Sequence, residues 1–243
     1  MIFSQGPFQR AAPPRKRNLC SQLVEALGSR IVRGDLKPDQ VLPNEAELGK
    51  ELRASRSVVR DAVKTLAAKG LLETRTRTGT RVLAPMHWNL LDLDVLGWRY
   101  AAMPREQFFR ELYEIRRLIE PGAAEMAAER ANAGDIAALA DAYAAMEATD
   151  HSSDAAIDAD LRFHRQVLAC THNELLVQMG SVIGVGLLIS FRISSQSYGA
   201  SLPRHGEVLD AIRAHDPAGA RAAMERLLMG TRDSIARELK EGA

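Results

Sequence analysis

Downstream of Leu83 the chain offers almost no strand signal. From about residue 105 onward, apolar residues recur at helical spacing through alanine-rich runs, and nothing alternates long enough to make a sheet. A segment of this length can bury its apolar side chains only by packing helix on helix. The periodicity places helices at Arg105–Arg130, Asp135–Glu147, Ala155–Cys170, Glu174–Ser195, Leu202–Ala214 and Pro217–Leu239, separated by breaks such as Ala133-Gly134, Asp150–Asp154, Thr171-His172-Asn173 and His215-Asp216-Pro217. Pro121 lies inside the first of them, where it should kink the helix or mark a boundary.

The first third reads differently. Leu19, Leu23, Leu27, Ile31 and Val32 give a first helix of about fifteen residues, broken at Gly34 and Pro38. Asn44, behind Pro43 and three residues ahead of Glu47, sets up a capping box for a short second helix with Ala46, Leu48 and Leu52 on its apolar face. A third starts behind Ser55 as N-cap, buries Val59, Ala62, Val63 and Leu66, and is closed by Gly70. Two helices joined by so short a turn make a helix-turn-helix. Leu71–Arg75 and Thr80–Leu83 then form a hairpin across Thr76-Arg77-Thr78-Gly79, with Gly79 free to take the positive φ of the turn.

The exposed face of the third helix carries Arg56, Ser57, Arg60 and Lys64, the two arginines four apart and so on one side. An arginine in the first turns of such a helix can donate two hydrogen bonds to O6 and N7 of guanine, or clamp a phosphate. Arg75, Arg77 and Arg81 crowd the hairpin tip, where they would lie along a DNA backbone or dip into the minor groove. A merely solvated basic face is the competing reading, and it leaves the short preceding helix and the arginine-studded hairpin without a purpose.

Charge follows the same division. Lys+Arg 32 nearly balances Asp+Glu 31, for a net +1, yet residues 1–84 hold 16 basic against 8 acidic residues and residues 85–243 hold 16 against 23. An electrostatic footprint for phosphate is thus confined to one end. Cys20 and Cys170 sit too far apart for a metal-binding pair or a disulfide framework, which favours a reducing compartment, the cytoplasm by default. The longest uncharged run, Leu175–Phe191, has 17 residues, short of the roughly 20 a membrane span needs. The basic residues near the N-terminus have no apolar signal-peptide run behind them.

The stretch from Arg30 to Leu83 resembles the winged helix-turn-helix of the GntR family of bacterial transcription regulators, with Leu42-Pro43-Asn44-Glu45, Ser55-Arg56, Val59-Arg60, Gly70-Leu71 and Gly79-Thr80 at the family's spacings. The resemblance implies that Arg56, Ser57 and Arg60 contact operator DNA and that Gly79 sits at the wing tip. An arginine that the fatty-acid-responsive member uses in the preceding helix is matched here by Ala46, with Arg53 as a substitute. The acidic part is similar to the all-helical FCD effector domain of the fatty-acid-regulator branch. Glu114-Ile115-Arg116 through Glu120-Pro121, Asp160-x-x-Phe163-His164, His172-Asn173 and His205 leading to Val208-Leu209-Asp210-Ala211-Ile212 carry that likeness. The expected fold is mainly α: a tail over residues 1–17, a winged helix-turn-helix over 18–84, a linker over 85–104 and an FCD-like all-α bundle over 105–243.

Bundles build ligand sites from polar side chains that face inward. Asp160 and His164 stand four apart, a spacing at which two side chains reach one metal ion, and Phe163 beside them marks the stretch as near the core. His205 opens a later helix and can converge with them. A surface ion pair or a satisfied core histidine is the plainer alternative. The resemblance implies a divalent metal, zinc or a similar ion, on one aspartate and three histidines. Asp160, His164 and His205 match, while Leu227 occupies the place of the last histidine and leaves positions open to a ligand's carboxylate or hydroxyl. Arg116 has the fork to grip an anion, or to pair with Glu120 at i,i+4, so the effector-binding candidates are Arg116, Asp160, His164 and His205. His87, His151, His172 and His215 read as structural.

The segment His87–Trp98 resembles that of branch members responding to hexonic sugar acids, galactonate among them. The sequence therefore leads to a cytoplasmic homodimer that binds double-stranded operator DNA, a repressor whose bundle takes a small carboxylate such as a sugar acid. The alternative is a metal-dependent hydrolase or lyase in which Asp160, His164 and His205 activate water. No nucleophile elbow, Gly-rich phosphate loop or HExxH helix supports it.

Overall fold

A computed structural model describes residues 18–75, 79–150, 153–193 and 197–241. It forms two compact units that meet in sequence at Arg105 and Glu106, called the head and the body below.

The head contains α1 (Leu19–Val32), α2 (Glu45–Leu52), α3 (Arg56–Ala68), β1 (Leu72–Arg75), β2 (Gly79–Val82), a 3-10 turn at Pro85–His87 and α4 (Leu93–Ala102). Helices α1 to α3 start where a side chain takes up free amides. Asn18 accepts from the Ser21 N–H, Ser55 from that of Val58, and Asn44 from those of Ala46 and Glu47, with Glu47 completing the expected capping box. Arg53 closes α2 in the left-handed region, φ 53°, and three residues separate α2 from α3. Gly70, with φ 76°, lies just past the end of α3.

β1 and β2 pair antiparallel, Leu72 opposite Val82 and Arg75 opposite Gly79. The outer edge of β2 is covered by a stretch the sequence pattern did not mark: the Leu42 N–H donates to Thr80 O at 2.8 Å, and the Asp39 N–H to Val82 O at 2.9 Å. Leu27, Ile31, Val59, Ala62, Leu66, Leu71 and Val82 form the centre of the core between the helices and the hairpin.

The stretch after the wing carries structure of its own and packs on the head. The Trp88 indole N–H donates to Leu83 O at 3.0 Å, and Lys69 Nζ lies 2.7 Å from Asp92 and 2.8 Å from Asp94. Val95 and Trp98 of α4 enter the head's core. The Trp98 ring rests on α1 at Gly28, where any Cβ would overlap the ring carbons. Gly28→Ala is therefore expected to displace the indole and cost about 1–3 kcal/mol, as overpacking does. Tryptophan emission and the melting temperature report it; an unchanged melting curve would mean that α4 gives the head no support.

The body is built from α5 (Arg105–Arg130), α6 (Ala133–Glu147), α7 (Asp154–Ala169), α8 (Glu174–Ile193), α9 (Ser197–Arg213) and α10 (Pro217–Glu241). Besides shifts of one or two residues at other helix ends, three features depart from the sequence reading. α5 runs through Pro121, which marks no boundary; the proline removes a donor to the carbonyl of Arg117, an exposed residue whose carbonyl water can serve. α6 begins at Ala133 because Asn132 and Asp135 form a second capping box. α9 starts at Ser197 and takes Pro203 inside.

Phe163, Leu139, Met146, Val208, Ile212, Leu227 and Leu228 are buried at the centre, between small residues such as Ala124, Ala127, Ala142 and Ala220. A second cluster joins Ala123, Leu168, Ile183 and Leu187. Cys170 is buried and its thiol is pushed up to about 11, by burial first and then by Asp135, which leaves it inert. Among the described residues no helix is long and apolar enough to cross a membrane.

Candidate DNA-reading face and candidate metal centre

Arg56, Ser57, Arg60 and Lys64 are all exposed on α3, as their spacing requires. Arg56 lines an open hollow at the helix-turn-helix together with Ala46, Lys50 and Arg53. The side chain missing at Ala46 thus faces the same concavity that Arg53 supplies with charge. Ser57 Oγ is 3.0 Å from Ser55 Oγ.

Arg60 has a partner that sequence reasoning did not find. Its Nε donates to Glu45 Oε1 at 3.0 Å and its Nη2 to Oε2 at 2.7 Å, a two-pronged pair between the start of α2 and the second turn of α3. That hydrogen bond holds the Glu45 carboxyl below the usual range and Arg60 above it. No helical spacing links residues 45 and 60, so only the folded turn could reveal the pair. On the wing, Arg75 is exposed with Nε 2.9 Å from Glu73, opposite Gly79, whose φ is 82°. Arg81 Nη1 donates to Asp39 at 3.2 Å. Arg77 lies outside the described residues.

In the body the three residues singled out by spacing come together. Asp160 and His164 project from α7 and His205 from α9, each offering one donor atom within 4.8 Å of the others. Asp160 Oδ1 is 3.0 Å from His205 Nε2 and 3.8 Å from His164 Nε2. Both imidazoles are 2% exposed, and Phe163 presses edge-on to them at 5.9 and 5.1 Å between centroids, which walls the group with apolar surface. Leu227 is buried in the core.

Behind His164 stands Glu120 of α5, which the sequence reading had placed only as a partner for Arg116. Glu120 Oε1 lies 2.5 Å from Arg116 Nε, and Oε2 lies 2.5 Å from His164 Nδ1. Burial by itself would raise the Glu120 pKa; Arg116 and then His164 outweigh it and hold the carboxyl at about 2. Asp160 is likewise below its ordinary value although burial opposes it, because His205 and His164 stabilise the charged form. Arg116 spends Nε and Nη2 on Glu120. His172 Nε2 meets Asp135 at 2.8 Å and His215 Nδ1 meets Ala128 O at 2.8 Å, contacts that tie loops to helices; His87 is in the 3-10 turn and His151 lies outside the described residues.

The chemistry of the donors fits a cation. His205 Nδ1 is 3.0 Å from Ser201 O, a carbonyl that can only accept, so Nδ1 carries a proton and a neutral ring has its lone pair on Nε2. That lone pair faces Asp160 Oδ1, another acceptor, and Nε2 is a buried nitrogen without a hydrogen bond. Two such atoms at 3.0 Å need a positive charge, supplied either by a second ring proton on Nε2 or by a cation beside them. A four-coordinate zinc with bonds of about 2.0–2.1 Å sets neighbouring donors roughly 3.3 Å apart, and the 3.0 and 3.8 Å separations bracket that value. Asp160, His164 and His205 are the residues that would hold the ion.

Comparison with known proteins covers both units. Residues 19–82 match the family described as bacterial regulatory proteins, gntR family, and residues 111–229 match the FCD domain. The galactonate operon transcriptional repressor of Escherichia coli K12 is 34% identical over 220 residues, 88% of this chain and 96% of that protein. The HTH-type transcriptional regulator LutR of Bacillus subtilis is 28% identical over 219 residues, 87% of this chain and 98% of the other. Among solved structures, a Streptococcus agalactiae GntR protein aligns over 88% of this chain and 100% of its own with a TM-score of 0.51 at 27% identity.

Proposed function

Because the chain belongs to the GntR family of bacterial transcription regulators, with an FCD effector domain, it is a DNA-binding regulator and not an enzyme, and from that premise we propose that it is a homodimeric repressor released from its operator by a sugar acid. The observation that carries the effector half is the convergence of Asp160 with the buried His164 and His205 in the body. An ion held there would have positions that Leu227 leaves without a side-chain donor, and the two oxygens of a 2-hydroxy carboxylate would suit them. The bound ion would act as the anchor for that carboxylate. A polyhydroxy acid of the galactonate type is favoured by the relative whose name carries that sugar acid and by the likeness of the His87–Trp98 segment.

In the DNA half, two heads place two α3 helices in successive major grooves, one turn of about 34–36 Å apart. Arg56, Ser57 and Arg60 read or clamp the site, Lys64 and Arg75 neutralise phosphates, and Arg77 and Gly79 belong to the wing tip. Arg60 arrives already held by Glu45 in one orientation. The effector needs only to favour one arrangement of the paired heads, a coupling of about 1–3 kcal/mol in typical regulators.

Arg56→Ala is expected to weaken operator binding by about 1–3 kcal/mol at fixed salt, read by fluorescence anisotropy on a duplex from the protein's own promoter region. Unchanged affinity would remove Arg56 from the interface. For the effector, a thermal-shift series of aldonic acids with and without chelator is decisive, since a ligand of the native state raises the melting temperature by mass action. A sugar acid that stabilises only before chelation supports the reading; no shift with any aldonate contradicts it.

A further inference from the structure

We propose that Glu120 is a positioning residue of the metal centre: a buried carboxylate on α5, paired with Arg116 on one side, that orients His164 so that its Nε2 is presented to the ion. This rests on the metal reading above. Glu120 stands between Arg116 Nε and His164 Nδ1, at 2.5 Å from each, and all three side chains are 5% exposed or less. A carboxylate against Nδ1 selects one form of a neutral imidazole, with the proton on Nδ1 and the lone pair on Nε2. Nε2 is the nitrogen turned toward Asp160 Oδ1.

His205 reaches the same state by another route, its Nδ1 lying against Ser201 O. Both rings thus have an acceptor against their rear nitrogen, an ion-pair contact at His164 Nδ1 and a hydrogen bond at His205 Nδ1, and their front nitrogen converging on one carboxylate oxygen. Metal-bound histidines regularly give their second N–H to such a partner, which fixes the ring and raises its basicity. Glu120 does not join the converging donor group formed by Asp160, His164 and His205, so its place is behind the ligand.

The test uses the full chain and the metal alone: zinc(II) affinity by competition with a chromophoric chelator, and the visible spectrum of the cobalt(II) form as a reporter of coordination. Glu120→Gln is expected to weaken zinc binding about 10–100-fold and to alter the cobalt spectrum. The single change also strands the charge of Arg116, so the double variant R116M/E120Q removes that charge. It should melt closer to the wild type in chelator and still bind zinc weakly. Tight zinc binding in the single variant, or affinity that returns with the fold in the double variant, overturns the proposal and leaves the centre intact. Wild-type protein that takes up neither metal overturns the metal reading, and this one falls with it.

Discussion

Arg116→Met is expected to destabilise the body by about 3–5 kcal/mol at neutral pH, the penalty for leaving a buried charge without its counter-ion. Arg116 is 4% exposed and Glu120 2%, so water cannot take over what the guanidinium supplies. His164 would remain as the one close polar neighbour among the described contacts of that carboxylate. Arg221 pairs with Glu125 at a comparable 2.6 Å, but both are exposed, and Arg221→Met should change little. The two substitutions separate distance from burial as the source of the effect. Urea denaturation in the presence of chelator measures both, and similar midpoints for the two variants would mean that the Arg116–Glu120 pair is dispensable for folding.

Much of this chain could be read directly from its residues, and the failures share a cause. The capping box at Asn44, the Ser55 cap, the wing with Gly79 at positive φ and the helices of the body all follow from local signals within four residues of one another. Asp160 and His164 were likewise visible as a four-residue spacing, and His205 as a polar residue leading a helix. What stayed hidden depends on contacts across the fold. Glu45 meets Arg60 fifteen residues away, residues 39–42 cover the edge of β2, and Glu120 reaches His164 on another helix. Trp98 finds Gly28 across seventy positions. Pro121 shows the opposite limit: its local rule predicts a break, but a helix whose Phe108, Leu112, Ala123 and Ala127 are all buried on either side of it gains more by continuing than the lost hydrogen bond costs.

Asp160→Asn should uncouple the body from the operator while leaving the head able to bind it. Asparagine keeps the shape of the side chain but removes the negative charge shared by His164 Nε2 and His205 Nε2, so the change tests the charge rather than the packing. Outer partners of metal ligands are worth about 10–100-fold in affinity, and loss of a converging carboxylate should cost at least that much. The variant is expected to bind zinc weakly, to bind operator DNA about as tightly as the wild type, and to show no release by galactonate. In the wild type the same ligand should lower operator affinity by about 5–150-fold, the range of ordinary allosteric coupling. All residues proposed to touch DNA lie between Arg53 and Arg81, in the unit that ends at Arg105, and Asp160 lies in the other. A ligand changes an equilibrium only by its unequal affinity for the two states, so removing its anchor removes the shift without moving the starting point. Anisotropy titrations with and without galactonate decide it. Galactonate that still releases the variant would place the effector away from Asp160, and weakened DNA binding without any ligand would mean that the metal centre sets the resting arrangement instead of reporting the sugar acid.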